Sequence, residues 1–166
     1  MSNRRITIAV DAMGGENSPT KCLKGLEIFS LKNPHVHLKI FGEEIIILKT
    51  IKNLNLNIKN FDIINCEKNV TDDDNANTIL RSRKESSIYK GLFFVRNNKY
   101  SGFVSAGNTA ALMILSRLIL GMIEGINRPA ICSKIPNKSS FSLMMDLGAN
   151  AYVNSENLFQ FALMGN

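Results

Sequence analysis

Three segments of the chain share one pattern: an apolar strand, a short run of small and polar residues, and then the start of a helix. They cover residues 8–17, 103–109 and 143–150. Small residues let a ligand approach the backbone, and a helix N-terminus adds free N–H groups and positive potential that favour an anion. We therefore expect Gly14, Gly107 and Gly148 to converge on one pocket for a phosphate-like group.

Strand-like and helix-like segments alternate along the whole chain. Strands are predicted over residues 5–10, 36–41, 61–65, 102–105, 130–135 and 142–146. Helices are predicted over 19–33, 43–54, around 76–84, 86–97, 108–122 and from 155 to the end, with Ser18 and Ser155 as N-caps. The helix over 108–122 is apolar nearly all round, which predicts burial on most sides.

This alternation predicts an α/β fold with a mainly parallel sheet and helices on both faces. In such sheets, ligands bind beyond the carboxyl ends of the strands, where the three small-residue turns lie. No repeat, linker or internal boundary is visible, so residues 1–166 are predicted to form part of one domain.

Composition limits the classes of function. The net charge of +6 is spread over single Lys and Arg residues and Trp is absent, which argues against nucleic-acid binding. The positive charge is compatible with binding to an acidic partner or an anionic surface. Cys22, Cys66 and Cys132 form no CxxC pattern, so we expect free thiols in a reducing cytoplasm and no metal site. The run of acidic residues at 72–74 is a cation ligand set or, more often, a solvated loop.

Residues 105–112 carry the most chemistry of any short segment. Ser105 and Thr109 supply hydroxyls, Gly107 permits close approach, and Asn108 either caps the helix or donates to an oxyanion. The alternative is a strand-to-helix turn with good capping and no ligand. The motif alone does not separate the two.

The order of the motifs along the chain is more specific. The ordered set comprises 10–19 (VDAMGGENSP), 80–87 (LRSRKESS), 105–112 (SAGNTAAL), 128–130 (RPA), 146–150 (DLGAN) and 160–165 (QFALMG). It resembles the bacterial phosphate acyltransferases of phospholipid synthesis known as PlsX. Ala110 stands where that family usually has Gly. Family members are about twice as long, so the resemblance is to an N-terminal half and the fold is expected to be incomplete.

The resemblance implies a fold related to phosphotransacetylases and isopropylmalate dehydrogenases, and a homodimer. It implies transfer of a fatty acyl group from acyl carrier protein to inorganic phosphate, without a cofactor. The acyl phosphate would pass to a membrane glycerol-3-phosphate acyltransferase. The implied location is cytoplasmic, with peripheral association at the inner membrane face as an option.

In this reaction the nucleophile is phosphate itself, so the chain needs to hold a dianion and stabilise an oxyanion. Asp11 and Asn108 are the predicted catalytic residues. The predicted substrate-binding residues are Gly14, Gly15, Arg81, Lys84, Ser105, Gly107, Thr109, Asp146, Gly148 and Asn150.

Several of these roles have alternatives. Arg81, Arg83 or Lys84 would neutralise phosphate, meet the acidic carrier protein, or simply form a solvated helix face. Asp11 and Asp146 either orient donors or only cap turns, and Asp11 is the stronger candidate because it adjoins glycine-rich backbone.

Two other functions remain open. In one alternative, the chain is a truncated, inactive remnant or one half of a split enzyme that binds anions without turnover. Stabilisation by phosphate without product would favour this alternative. A different acyl–phosphate exchanger would use a coenzyme A thioester, and thioester preference separates it from the first hypothesis.

Overall fold

The computed structural model of the chain describes residues 6–67, 70, 74, 79 and 84–166. The chain divides into two compact units, Met1–Leu120 and Gly121–Asn166. The sequence carries no visible linker at this division, and the prediction of one undivided domain stays a prediction.

A parallel sheet forms the centre of the first unit. Its strands are β1 (Thr7–Asp11), β2 (His37–Gly42), β3 (Phe61–Asn65) and β4 (Ser101–Val104), and they lie side by side in the order β3-β2-β1-β4. Val10 is in register with Ile40 on one side and with Val104 on the other. The parallel pairing confirms the predicted α/β class, and it places the carboxyl ends of all four strands at one edge.

Helices cover both faces of this sheet. They are α1 (Thr20–Lys32), α2 (Glu44–Asn53), α3 (Ser87–Asn97) and α4 (Thr109–Ile119). Val10 and Ile40 pack with Leu23 of α1 and Ile47 of α2. The alternate strand positions, such as Phe41, face the other way and pack with Phe94 of α3. This division follows from the two-residue period of a strand.

Two local predictions for this unit are wrong. Ser18 does not cap α1: the N-cap position is Pro19, and the Ser18 hydroxyl donates to the carbonyl groups of Gly14 and Gly15. The helix predicted over 108–122 ends at Ile119 and buries one face only, leaving Leu118 60% exposed. An apolar helix need not be surrounded when few elements are present to pack on it.

The second unit contains a β-hairpin and a helix. Strands β5 (Ser133–Pro136) and β6 (Phe141–Met144) pair antiparallel in a two-stranded sheet of their own, and α5 spans Ser155–Gly165. The predicted strands exist here, although they do not extend the parallel sheet. Asn154 caps α5 through a reciprocal pair of hydrogen bonds with Asn157, so the predicted cap at Ser155 is wrong by one residue.

Parts of three predictions lie outside the described residues. These are the start of the first strand at residue 5, most of the helix around 76–84, and Asp72 and Asp73 of the acidic run. Among the residues that the structure describes, no helix is long and apolar enough to cross a membrane.

Candidate functional site

Asp11 ends β1 and is the centre of the candidate site in the first unit. The residue is 3% exposed. Oδ1 accepts hydrogen bonds from the backbone N–H groups of Met13 (3.0 Å) and Gly14 (3.1 Å), and Oδ2 accepts one from the hydroxyl of Ser105 (2.7 Å). Three donors compensate the buried charge, as a carboxylate in such a place requires.

The bond to Ser105 joins two turns that lie 94 residues apart in the sequence. Ser105 follows β4, and its hydroxyl oxygen also accepts the N–H of Gly107 at 3.1 Å. The chain from Asp11 through Ser105 to Gly107 is therefore a continuous hydrogen-bond network. It fixes the turn after β1 against the turn after β4.

The two turns touch through their backbones, which explains the glycines. A Cβ atom on Gly14 would lie 2.5 Å from Asp11 Oδ2 and 2.7 Å from the backbone nitrogen of Gly107. Gly15 has φ +87°, and a Cβ there would lie 2.8 Å from the carbonyl oxygen of Ala106. Only residues without a side chain allow this approach in these conformations.

Close contact has a consequence for ligand binding. The N–H groups of Gly14 and Gly107 were expected to hold an anion. They donate hydrogen bonds to Asp11 and Ser105 instead. The negative carboxylate would also repel an anion placed directly on it. Asp11 thus positions the turns, and an anion would bind beside them.

The start of α4 follows this network directly in the chain. The first N–H groups of any helix lack an intrahelical acceptor and carry positive potential. Asn108 caps the helix, its side-chain oxygen accepting the Ala111 N–H at 2.8 Å. Thr109, the first residue of α4, is exposed. The predicted capping role of Asn108 is present, and its catalytic role stays a prediction.

A cavity of about 690 Å³ opens beside the Asp11 network. Its polar end is lined by Asp11, Gly14, Gly15 and Ser105, and the rest is mostly apolar side chains of α1 and the sheet. Cys22 also lines it, and burial, followed by the negative charge of Asp11, raises the pKa of its thiol to about 11. That thiol is therefore protonated near neutral pH, which does not suit a nucleophile.

A second aspartate network lies in the other unit. Asp146 accepts the N–H groups of Ile131 (2.9 Å), Ala149 (3.3 Å) and Asn150 (2.8 Å), and the side-chain amide of Asn150 (2.9 Å). Burial alone would raise the pKa of Asp146, but the hydrogen bonds from Ile131 and Asn150 outweigh it and lower the pKa. The same Asn150 amide donates to the Pro129 carbonyl.

The predicted site residues fall into separate groups. Asp11, Gly14, Gly15, Ser105 and Gly107 come together in the first unit, with Asn108 and Thr109 next to them. Asp146, Gly148 and Asn150 form one turn in the second unit, and their place in a cradle shared with Gly14 stays a prediction.

Lys84, the one predicted basic residue within the described part of the chain, is not part of the Asp11 network. Lys84 is exposed and lines a different surface cavity of the first unit, with Lys39, Lys90 and aromatic residues of α3. Arg81 and Arg83 lie outside the described residues. No group of three or more His, Cys, Asp or Glu side chains in the described part of the chain is arranged to hold a metal ion.

Sequence reasoning missed two contributors to the first turn. Ser18 holds the carbonyl groups of Gly14 and Gly15, and the carbonyl of Ala106 packs on Gly15. A serine four residues after Gly14 is a weak signal for the first contact. Nothing local in the sequence signals the second, because it is made by distant backbone.

The chain is similar to known proteins over nearly its whole length. A profile of the family described as "Fatty acid synthesis protein" matches residues 6–166. The chain belongs to this family. The relatives named below confirm the resemblance to the phosphate acyltransferases known as PlsX.

Similar curated proteins carry the name phosphate acyltransferase. The one from Magnetococcus marinus is 40% identical over 160 residues, which is 96% of the chain and 46% of that relative. The one from Wolbachia pipientis of Culex pipiens is 40% identical to the chain, which covers 48% of that relative. The one from Caldicellulosiruptor saccharolyticus is 36% identical, and the chain covers 47% of it. The chain thus spans about half the length of the family members it matches.

Proposed function

We propose that the chain supplies the phosphate-binding half of an enzyme that transfers a fatty acyl group from acyl carrier protein to inorganic phosphate. An oxygen of hydrogen phosphate attacks the thioester carbonyl, and the carbon–sulfur bond breaks. The products are acyl phosphate and the free carrier thiol, which takes the proton from phosphate. Every atom is supplied by the two substrates, and no cofactor is needed.

The observation that carries this proposal is the joining of two family motifs, 10–19 and 105–112, by the Asp11–Ser105 hydrogen bond. The bond places the first turn of α4 at a fixed position beside the turn after β1. In the proposal, hydrogen phosphate binds at that first turn, where Thr109 is exposed and the first helical N–H groups lack intrahelical acceptors. Holding the dianion in one orientation lowers the entropic part of the barrier.

Each residue then has a separate proposed role. Asp11 is proposed as a positioning residue in place of the predicted catalytic role, because Met13, Gly14 and Ser105 already occupy three of its acceptor positions. Asn108 sets the start of α4 and is the proposed contact for the developing oxyanion, because a side-chain amide can donate to it. Basic residues of the segment 81–84 are proposed to meet the acidic carrier protein.

The proposal extends to the biological setting of the family. The enzyme would act as a homodimer in the cytoplasm or at the inner face of the membrane. Its acyl phosphate would be consumed by a membrane glycerol-3-phosphate acyltransferase, because a mixed anhydride needs an acceptor alcohol to become an ester.

A second candidate is a binding half without turnover of its own. The fact that favours it is length: the chain covers only 46% to 48% of the phosphate acyltransferases compared above. In that case the chain binds phosphate, and no acyl transfer occurs with or without the remaining half of the fold.

The test uses the purified chain, palmitoyl-acyl carrier protein and phosphate, with acyl phosphate trapped as its hydroxamate. It is run with and without the unmatched half of the Magnetococcus relative. Hydroxamate that depends on both phosphate and the carrier thioester supports the proposal, because hydroxylamine also attacks thioesters directly, and equal phosphate-dependent product from the coenzyme A thioester favours the other exchanger. Phosphate binding without product in either mixture supports the binding half, and neither binding nor product overturns both.

Thr109→Val tests the placement of phosphate. Loss of one hydroxyl contact is expected to weaken phosphate binding about tenfold, with an unchanged helix. The matched control is Thr50→Val in α2, whose hydroxyl donates to the carbonyl of Ile46 away from the site. Equal phosphate affinity in the two variants would exclude the first turn of α4 as the binding place.

A further inference from the structure

A second cavity of the first unit, of about 520 Å³, is lined by residues of α3 and of the strands β2 and β3. We call it the α3 groove. Phe41 and Ile64 of the strands line it together with aromatic side chains of α3. Among these, Phe93 is 49% exposed, and its ring stacks on that of Tyr89 with the ring centres 6.5 Å apart. Large aromatic side chains left open in a concave surface normally mark a binding surface.

Lysines accompany the aromatic residues of the α3 groove. Lys39, Lys84 and Lys90 line it, together with one acidic residue, Glu85. Lys39 is held in an ion pair with Asp62 at 3.1 Å, and Lys90 in one with Glu85 at 2.6 Å. Lys84 is exposed and forms no ion pair with any residue that the structure describes. Its ammonium group is therefore available to a partner.

The positive charge extends along the segment that contains α3. Residues 84–99 carry four basic residues and one acidic residue, a net charge of +3, compared with +6 for the whole chain. The basic residues are Lys84, Lys90, Arg96 and Lys99. An aromatic centre with a polar, charged rim is the usual composition of a protein–protein interface. The complementary partner carries an apolar surface surrounded by acidic residues.

The concave shape of the groove favours a protein helix over a membrane surface. A helix that binds a membrane inserts protruding apolar side chains between the lipids. Here Tyr89 and Phe94 are half-buried and line a depression beside α3. Such a depression accepts the apolar face of a partner helix.

The α3 groove lies near the candidate site. Phe41, which lines the groove, is in register with Asp11, and Ile64 is in register with Phe41. Neighbouring strands are about 4.8 Å apart, so the backbone at Ile64 is only about 10 Å from that at Asp11. A partner seated in the groove is therefore close enough to present a tethered group at the carboxyl edge of the sheet.

We propose that the α3 groove is the docking surface for an acidic carrier protein, which packs the apolar face of a helix on Phe93 and places carboxylates near Lys84. The identity of this partner as acyl carrier protein rests on the proposed function. The shape and charge of the groove belong to the first unit alone. A carrier docked here holds its thioester on a flexible arm beside the turns that contain Asp11 and Ser105.

The experiment measures the dissociation constant between the purified chain and acyl carrier protein that bears no acyl group, by titration calorimetry without phosphate. Nothing can be transferred in this mixture, so the result does not depend on catalysis. Phe93→Ala is expected to weaken binding at least about tenfold, because an aromatic anchor of the interface is removed. Lys84→Glu is expected to weaken it about tenfold at low salt and less at high salt, because repulsion replaces attraction.

Two variants of α2 are the matched controls. Ile45→Ala truncates an apolar side chain that is 76% exposed, and Lys49→Glu makes the same change of charge at an exposed position. Neither residue lines the groove, so both variants are expected to bind the carrier like the unchanged chain. Circular dichroism melts verify that each variant folds. If Phe93→Ala does not fold, Lys84→Glu and its control still decide the question.

Equal carrier affinity in the groove variants and the α2 controls would overturn the proposal. The absence of carrier binding up to about 1 mM would do so as well. A third contrary result is binding to vesicles of anionic phospholipid that Phe93→Ala abolishes while carrier binding is unchanged, which assigns the groove to a lipid surface.

Failure of the proposed function gives a different result. Carrier binding that depends on Phe93, without formation of acyl phosphate, keeps the docking surface and removes the reaction. Acyl phosphate formed from the carrier thioester with the same KM in Phe93→Ala as in the unchanged chain keeps the reaction and removes the docking surface.

Discussion

The chain uses the same local device twice, with different results. Asp11 ends β1 and Asp146 lies two residues after β6, and both accept several backbone N–H groups from a small-residue turn. Asp11 also reaches Ser105 across 94 residues, whereas the partners of Asp146 lie within 15 residues of it. One aspartate joins distant parts of a sheet, and the other shapes a local loop.

The difference shows what burial adds to a turn. Asp11 is almost entirely buried, so water from the neighbouring cavity would replace its hydrogen bonds only in part if the carboxylate were removed. Asp146 is only half-buried, and solvent can replace part of its network. The same pattern of residues is therefore expected to contribute unequally to stability.

Replacement of each aspartate by alanine tests this comparison most directly. Asp11→Ala is expected to destabilise the first unit by about 3 kcal/mol, because three donors lose their acceptor in a buried place. Asp146→Ala is expected to cost about 1 kcal/mol in the second unit. Hydrogen exchange resolved by residue reports each unit separately, and equal losses would remove the proposed distinction.

The glycine contact provides a second, smaller effect. Gly14→Ala is expected to destabilise the first unit by about 2 kcal/mol, since the new Cβ would clash with Asp11 and with the backbone of Gly107. Gly25→Ala in α1 is the matched control, because nothing lies within 4 Å of its Cβ position. It is expected to stabilise α1 by about 0.5 kcal/mol. Urea unfolding followed by circular dichroism measures both.

Lowering the pH tests how much the Asp146 carboxylate stabilises its turn in the second unit. The hydrogen bonds of Asp146 hold its pKa below the unfolded value, which is about 3.9 for aspartate. Its contribution to stability is therefore complete above about pH 4 and is lost as the pH falls through the folded pKa. Exchange in the turn at 146–150 should rise over that range. In Asp146→Asn the rise should be weaker, and an unchanged profile would contradict the assignment.

The rates at which the three cysteine thiols react also distinguish the two units, and this is the smallest of the expected effects. Burial raises the pKa of Cys22 and Cys66 in the first unit to about 11, whereas Cys132 in the second unit is exposed. At pH 8, iodoacetamide should modify Cys132 at least about a hundredfold faster than the other two, because the thiolate is the reactive form. Peptide mass spectrometry measures the order, and early labelling of Cys22 would show that the cavity beside Asp11 is more accessible.

Much of the first unit could be predicted from sequence. The strand over Phe61–Asn65 and the helix over Ser87–Asn97 have the predicted places, and the parallel class followed from alternation. The antiparallel pairing of β5 with β6 did not, because short apolar runs look alike in either kind of sheet. The position of the caps shifted by a residue at Ser18 and Ser155, since neighbouring polar residues compete for that role.

Local sequence patterns also predicted only part of the candidate site. The motif at 105–112 indicated Ser105 and Gly107, and the turn at 10–19 indicated Asp11 and Gly14. No local pattern stated that Ser105 donates to Asp11, or that this bond uses up the N–H groups expected to hold an anion. Those facts depend on residues brought together across the sheet.

By itself the sequence determined the family, the alternation of strands and helices, and the residue types available at each turn. Periodicity and short-range capping are encoded within a few residues, so they can be read along the chain. Only the tertiary structure decided which turns meet, which donors remain for a ligand, and which apolar face stays open. These depend on the order of strands in the sheet, because hydrogen bonds and packing between β1 and β4 join residues that the sequence keeps far apart.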